Sequence, residues 1–216
     1  MKSEVMPDQI AIVTMDDATP LERVLARVIR DNIKRHHLTL DVLHHQGQVN
    51  LISTTSSFNI TVSCLADKIV IQRGVQKDAK ISLSGDWAGT VNPGMPLKIK
   101  GRWQHPRFTA FIKQLLIQDR RPWQVAAQEF FECVHEKVDV NIRVKVQPSN
   151  ETTCFEWGSG NEDITITGSS SNLQRLFDKQ STLIEEVVLG RIQCHSSLRT
   201  TALLSELTIN RLLGDL

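Results

Sequence analysis

"NEDITITGSSSNLQRLFDKQSTLIEEVVLGRIQCHSSLRTTALLSELTINRLL", residues 161–213, is the stretch whose reading decides the fold. Ile164 and Ile166 alternate with Asp163, Thr165 and Thr167, the period of a strand with one buried face. Gly168 ends the strand, and the Ser169–Ser171 run supplies hydroxyls that cap a helix. Leu173, Leu176 and Phe177 fall at i, i+3 and i+4, on one helical face. Leu183, Ile184, Val187 and Val188 form a second apolar cluster that leads to a short strand around Gly190–Cys194. Leu198, Ala202, Leu203, Leu207, Leu212 and Leu213 predict a closing apolar helix. The order is strand, helix, short strand, terminal helix.

With those residues, the order resembles the C-terminal part of sterol-carrier-protein-type lipid-binding domains. That pattern has an apolar-alternating strand ending in glycine, a small-polar helix start, an L-x-x-L/F helix, a short strand opened by glycine and a leucine-rich final helix. Asp163–Gly168, Ser169–Ser171, Leu173–Phe177, Gly190–Cys194 and Leu198–Leu213 occupy those places. The resemblance implies non-covalent binding, transfer or presentation of a lipid, such as an isoprenoid quinone precursor, or an accessory role inside a larger enzyme.

Upstream, Pro20 opens a predicted amphipathic helix, "PLERVLARVIRDNIKRH", behind Asp17 or Thr19 as cap. Ile10–Met15 reads as one strand before it. Alternation then recurs at Leu38–Val42, Val49–Leu51, Phe58–Cys64, Ile69–Ile71, Ile81–Leu83 and Leu97–Ile99, with turn-like connectors that imply an antiparallel sheet. A helix is expected from Pro106 to about Ile117, and "QDRRPW" at 118–123 breaks the pattern. The next helix, to Lys137, should bury Val125, Ala126, Phe130, Phe131 and Val134, and Cys133 reads as a core cysteine on its apolar side. Val138, Val140, Ile142, Val144 and Val146 then alternate as a strand, and Phe155 and Trp157 begin the return. The two halves share an order of helix, strands, glycine-ended strand, short strand and helix, with "DAKISLSG" opposite "EDITITG". The first half carries more strands and no helix in its 86–96 loop. Internal duplication and chance similarity of two α+β units both fit.

Charge and composition narrow the classes of function. Twenty-five basic against 24 acidic residues leave a net charge of +1, so no electrostatic footprint for nucleic acid is expected, and no polybasic segment points to an anionic membrane surface. No apolar run reaches the length of a transmembrane segment, and "MKSEVMPDQIAIVTMDDATP" lacks the layout of a signal peptide. Cys64, Cys133, Cys154 and Cys194 stand far apart and read as reduced thiols, so a cytoplasmic location is expected.

Motifs for chemistry are sparse. His36–His37 and His44–His45 invite a metal reading, but neighbouring residues diverge by about 100° on a helix and face opposite sides of a strand. Cys133 with His135, and Cys194 with His195, set thiol near imidazole in sequence without the spatial meeting a dyad needs. No G-x-S-x-G, G-x-x-x-x-G-K-S/T or G-x-G-x-x-G is present. No catalytic set, metal or cofactor is therefore expected.

These readings converge on an α+β chain, mainly antiparallel sheet with helices packed on one face, in two related sterol-carrier-like units covering 1–120 and 121–216. The expected function is binding of a lipid or other apolar molecule, lined by Leu173, Leu176, Phe177, Val187, Leu203, Leu207 and Leu212. The alternative is a non-catalytic scaffold that docks on protein partners through its apolar C-terminal helix.

Overall fold

Helix α1, Pro20–His36, is set at both ends by its own sequence. Thr19 accepts a hydrogen bond from the Glu22 amide at 3.3 Å, and the Glu22 carboxylate accepts one from the Thr19 amide at 2.6 Å, a reciprocal capping box. At the other end His37 takes the left-handed conformation (φ 51°) and the Leu38 amide bonds back to the Ile33 carbonyl at 3.1 Å. Leu38 is thereby buried as the closure of the helix rather than as the start of a strand. The rest of that expected strand, Leu40 and Val42, lies outside the described residues, which are 10–38, 44–85, 98–117, 121–137, 142–149 and 151–216 of this computed structural model.

The chain divides into two compact units, Met1–Gln118 and Asp119–Leu216. In the first, strands β1 (Ala11–Val13), β2 (Gly47–Ser53), β3 (Asn59–Cys64), β4 (Lys68–Arg73), β5 (Ile81–Gly85) and β6 (Lys98–Lys100) form a sheet of order β1-β4-β3-β2-β5-β6. Val49, Leu51, Ile60, Val62, Ile69, Ile71, Ile81 and Leu83 alternate onto one face and meet α1 and helix α2, Pro106–Leu116. Asn32 of α1 is fully buried and donates to the Leu115 and Ile117 carbonyls at 2.9 and 3.1 Å, satisfying the end of α2.

The sheets are mixed rather than hairpin meanders. β2 pairs parallel with β5, and β1 with β4, while the other pairs are antiparallel. Because β4 runs parallel to β5 with β3 and β2 between them, residues 74–80 must cross those strands. The crossing is pinned by side chains on the face opposite the core. Asn50 donates to the Gln76 carbonyl (2.9 Å) and accepts from its amide (3.1 Å), and Thr61 Oγ1 lies 2.8 Å from the Gly74 carbonyl. Both residues are buried, so the polar groups that the sheet hides there are matched by backbone.

The second unit opens with helix α3, Trp123–Val134. Strands β7 (Ile142–Pro148), β8 (Phe155–Trp157), β9 (Glu162–Gly168) and β10 (Ile192–His195) form a sheet of order β10-β9-β7-β8. Residues 138–141, the start of the expected strand, lie outside the described residues. Between β9 and β10 the chain forms α4, Ser170–Phe177, and α5, Leu183–Val188, and it closes with α6, Leu198–Leu213. Ser169, Thr182 and Ser197 cap these three helices by accepting from the amide three residues on, and Gly214 ends α6 at φ 83°. Ile142, Val144, Val146, Ile164, Ile166 and Ile192 face the helices, whereas Arg143, Glu156, Asp163, Gln193 and His195 are exposed. The fold class is α+β, with helices on one face of each sheet.

The same four-strand arrangement occurs twice. β3-β2-β5-β6 repeats as β8-β7-β9-β10, with the central pair parallel and both flanking pairs antiparallel in each. Aligning the strand-ending glycines, Gly85 with Gly168, sets Ser53↔Gly85 beside Pro148↔Gly168 and Leu51↔Leu83 beside Val146↔Ile166. Among the described residues β1 and β4 have no counterpart in the second unit.

Gly158 ends β8 at φ 81°, and a Cβ there would lie 2.4 Å from the Ile142 carbonyl oxygen. Gly74 has a similar backbone (φ 96°) but open space around it. Gly158→Ala should lower the stability of the second unit by about 2 kcal/mol or more, because the clash adds to backbone strain. Gly74→Ala should lose less, and equal losses in urea unfolding would show that close packing at Gly158 is unimportant.

Candidate functional site

The residues expected to line an apolar pocket gather in the second unit, but as filling rather than lining. Leu173, Leu176, Phe177 and Leu207 are at most 4% exposed, and Val187 and Leu203 pack partly buried against the same core. Leu212 is half-buried on the last turn of α6. Phe177 stands 5.7 Å from Phe130 and 5.9 Å from Phe131, and Phe131 stacks on Phe155 and Trp157 at 5.9 and 5.3 Å. Rings at these separations fill the space between sheet and helices.

Buried charges lock the ends of those helices. Asp178, fully buried after α4, accepts from Arg121 Nε at 2.7 Å, and the Arg121 guanidinium also bonds to Glu129. Burial acts to lower the pKa of Arg121, but its hydrogen bonds to Glu129 and Asp178 more than offset this and hold it above the ordinary arginine value. Arg211 lies over the Phe130 ring at 5.2 Å and donates to the Phe177 carbonyl at 3.1 Å, with its pKa lowered by burial. Glu186 of α5 is also fully buried, 3.2 Å from Arg175 and 3.6 Å from Arg191. A buried carboxylate needs such partners, since isolation would cost several kcal/mol.

An opening does exist at the corresponding place in the first unit. Leu21 and Leu25 of α1, Leu51 of β2, Ile60 of β3 and the adjoining Phe58 line an apolar slot of about 40 Å³. Phe58 is 46% exposed at its mouth. By strand register, the pair Leu51–Ile60 corresponds to Val146–Phe155, which in the second unit sits beneath Phe131 with Phe177 beyond it. Helical spacing at Leu21 and Leu25 and alternation at Leu51, Phe58 and Ile60 identified apolar faces but gave no sign that they border a gap. The nearest signal was Phe58, a large ring set directly after the Thr54–Ser57 turn.

A second, wider cavity of about 490 Å³ lies in the same unit, lined by His44, His45, Gln46, Lys80 and the 104–108 segment that opens α2. The His45 ring stacks on Phe111 at 5.1 Å, and Lys80 Nζ lies 5.3 Å from the centre of the Phe108 ring. His105 precedes α2 without a side-chain cap, and Pro106 starts the helix. The sequence carried a sign of this cleft: between Asp86 and Asp119 there is no acidic residue, while Lys98, Lys100, Arg102, Arg107 and Lys113 all fall there.

The remaining reactive groups are dispersed. Cys133 is exposed, not in the core, because it sits on the solvent side of α3 between buried Phe131 and Val134. His135 Nδ1 is 2.7 Å from the Glu132 carbonyl. Cys194 is half-buried, with Sγ 3.8 Å from Ser196 Oγ. Among the described residues no group of three or more His, Cys, Asp or Glu is placed to hold a metal, and no helix is long and apolar enough to cross a membrane. No family model, curated protein or solved structure matches the chain.

Cys64 is fully enclosed in β3, and burial pushes its thiol from 9.0 up to about 12. The unfolded chain releases this proton near 9.0 while the folded chain keeps it, so this contribution to stability is full below 9.0 and is lost as pH rises towards 12. Urea unfolding between pH 9 and 12 should show a loss of up to about 1.4 kcal/mol per pH unit that Cys64→Ala removes. A thiol reagent should label Cys133 and Cys154 in the native protein and Cys64 only in denaturant. Ready native labelling of Cys64 would contradict its enclosure.

Proposed function

We propose that the chain binds a lipid or other apolar molecule non-covalently, for transfer or presentation, and that the first unit takes the apolar end at the Leu21–Leu25–Leu51–Phe58–Ile60 slot. The observation that supports this is the contrast between the two units. On matching strands, one has its sheet end plugged by Phe131, Phe155 and Phe177, and the other, among the described residues, keeps an apolar slot there. The relation to sterol-carrier-type domains belongs to this proposal and agrees with the α+β architecture. At about 40 Å³ the slot admits the tip of a chain, far below the roughly 300–1,000 Å³ of a complete small-molecule pocket, so a longer ligand must part α1 from the sheet or lie along Phe58. The site named from sequence, in the second unit, would need displacement of well-packed side chains first.

A docking role has its own support, at a different place from the one expected. α6 turns most of its apolar arc inward, leaving Leu198 and Ile209 exposed, whereas α5 and the residue after it expose Ile184, Val188 and Leu189, with Val188 75% exposed. A protein partner covering these residues is the second reading.

Native mass spectrometry of gently purified protein, followed by extraction, tests the first. A non-covalent apolar adduct lost on denaturation is expected. Titration with acyl chains of increasing length should strengthen binding about fourfold per added CH₂, from roughly 0.8 kcal/mol each, until the slot is full. Leu25→Phe should fill the slot and weaken binding without unfolding the unit. Affinity independent of chain length, or unaffected by Leu25→Phe, would remove the proposal.

A further inference from the structure

The basic cleft is a separate feature from the apolar slot, and its chemistry points elsewhere. A net charge of +1 conceals how the charges are distributed. Lys80, His105 and Arg107 line one cavity of about 490 Å³ together with His44 and His45, and among the described residues no Asp or Glu lines it. Arg102 and Trp103 adjoin it in the turn before α2, with the guanidinium 5.4 Å from the centre of the ring, and Trp103 is 88% exposed.

No ion pair joins Lys80, Arg102 or Arg107 to a carboxylate among the described residues. Lysine and arginine gathered in a concave site raise the local concentration of anions, and arginine offers the paired donors that fit phosphate oxygens. The first turn of α2 contributes positive potential in the same direction. A tryptophan left in solvent beside such a site fits the boundary between water and an apolar phase, where its ring and N–H are both accommodated.

We propose that this cleft binds a phosphate-bearing anion, with Lys80, His105 and Arg107 as donors and Trp103 at its rim. A free phosphate ester and a phospholipid headgroup share this chemistry. The inference does not depend on the apolar slot being occupied.

The experiment uses the full chain in two arms. Glycerol 3-phosphate is titrated by calorimetry, and vesicles of phosphatidylglycerol or phosphatidylcholine are tested by flotation and by the blue shift of tryptophan fluorescence. Binding in either arm is expected, with phosphatidylcholine inert. Response to glycerol 3-phosphate identifies a free ester as sufficient, and response to phosphatidylglycerol vesicles alone identifies the headgroup. The variant Lys80→Gln/Arg107→Gln should bind about tenfold more weakly or worse, and Lys113→Gln/Lys145→Gln, which removes equal charge outside the cleft, should bind as the parent does. Thermal unfolding checks that each variant is folded, and Arg107→Gln alone serves if the double variant is not. Absence of binding in both arms, or equal weakening by the two double variants, overturns the site.

Discussion

The parallel pair at the centre of the four-strand arrangement that both sheets share, β2 with β5 and β7 with β9, is the constraint on which the rest depends. Parallel neighbours cannot be joined by a tight turn, so the chain must leave the sheet and return. In the first unit the return runs under the polar face through 74–80, and Asn50 and Thr61 are the buried groups that hold it. In the second it is shortened to 158–161, which brings Gly158 against the Ile142 carbonyl and the Gly160 amide to 3.1 Å from the same oxygen. Once the crossing is placed, the faces are assigned. The side away from the crossing in the first unit, and the corresponding side in the second, is left for helices.

The second unit closes its core after Gly168, the glycine that ends β9. Beyond Gly168 the chain is long enough for α4 and α5, and Leu173, Leu176, Phe177 and Leu183 complete a closed core. That closure brings Asp178 and Glu186 out of water, and the surrounding arginines offset their desolvation. Such pairs contribute less to net stability than the apolar burial they accompany, but removing either partner leaves a charge without solvent. In the first unit a slot stays between Leu21, Leu25, Leu51, Phe58 and Ile60. The contrast between a filled and an open version of one scaffold is what gives the binding proposal a location.

Much of the architecture was legible in the residues. α1 starts where Thr19 and Pro20 indicate, and the alternation at 142–148 and 162–168 assigns the buried face correctly. Alternation states which face is buried and is silent on which strand lies alongside, so the parallel pairs were not visible. Leu38 was ambiguous for a related reason, since an apolar residue after a helix serves equally as a strand residue or as the hydrophobic end of a cap. Cys133 failed differently: its neighbours at 130, 131 and 134 define the buried arc of α3, and 133 falls just outside it. The cavities were least legible, because an unfilled space is a relation among distant side chains. Net charge, being a sum, likewise erased the asymmetry around α2.

The margins of the two sheets carry one more consequence. An uncovered strand edge presents unpaired amides and carbonyls to any extended chain that meets it, and this is a route to aggregation. Here the outermost strands are short: Ala11–Val13 and Lys98–Lys100 flank one sheet, Phe155–Trp157 and Ile192–His195 the other. Lys98 and Lys100 put two positive charges on one margin, and Glu156 a negative one on another. Long, apolar, well-templated strands such as β2, β3, β7 and β9 are all interior. The chain therefore keeps its longest, most apolar backbone paired inside the two sheets, while apolar side chains such as Trp103, Val188 and Leu198 stand exposed elsewhere on its surface.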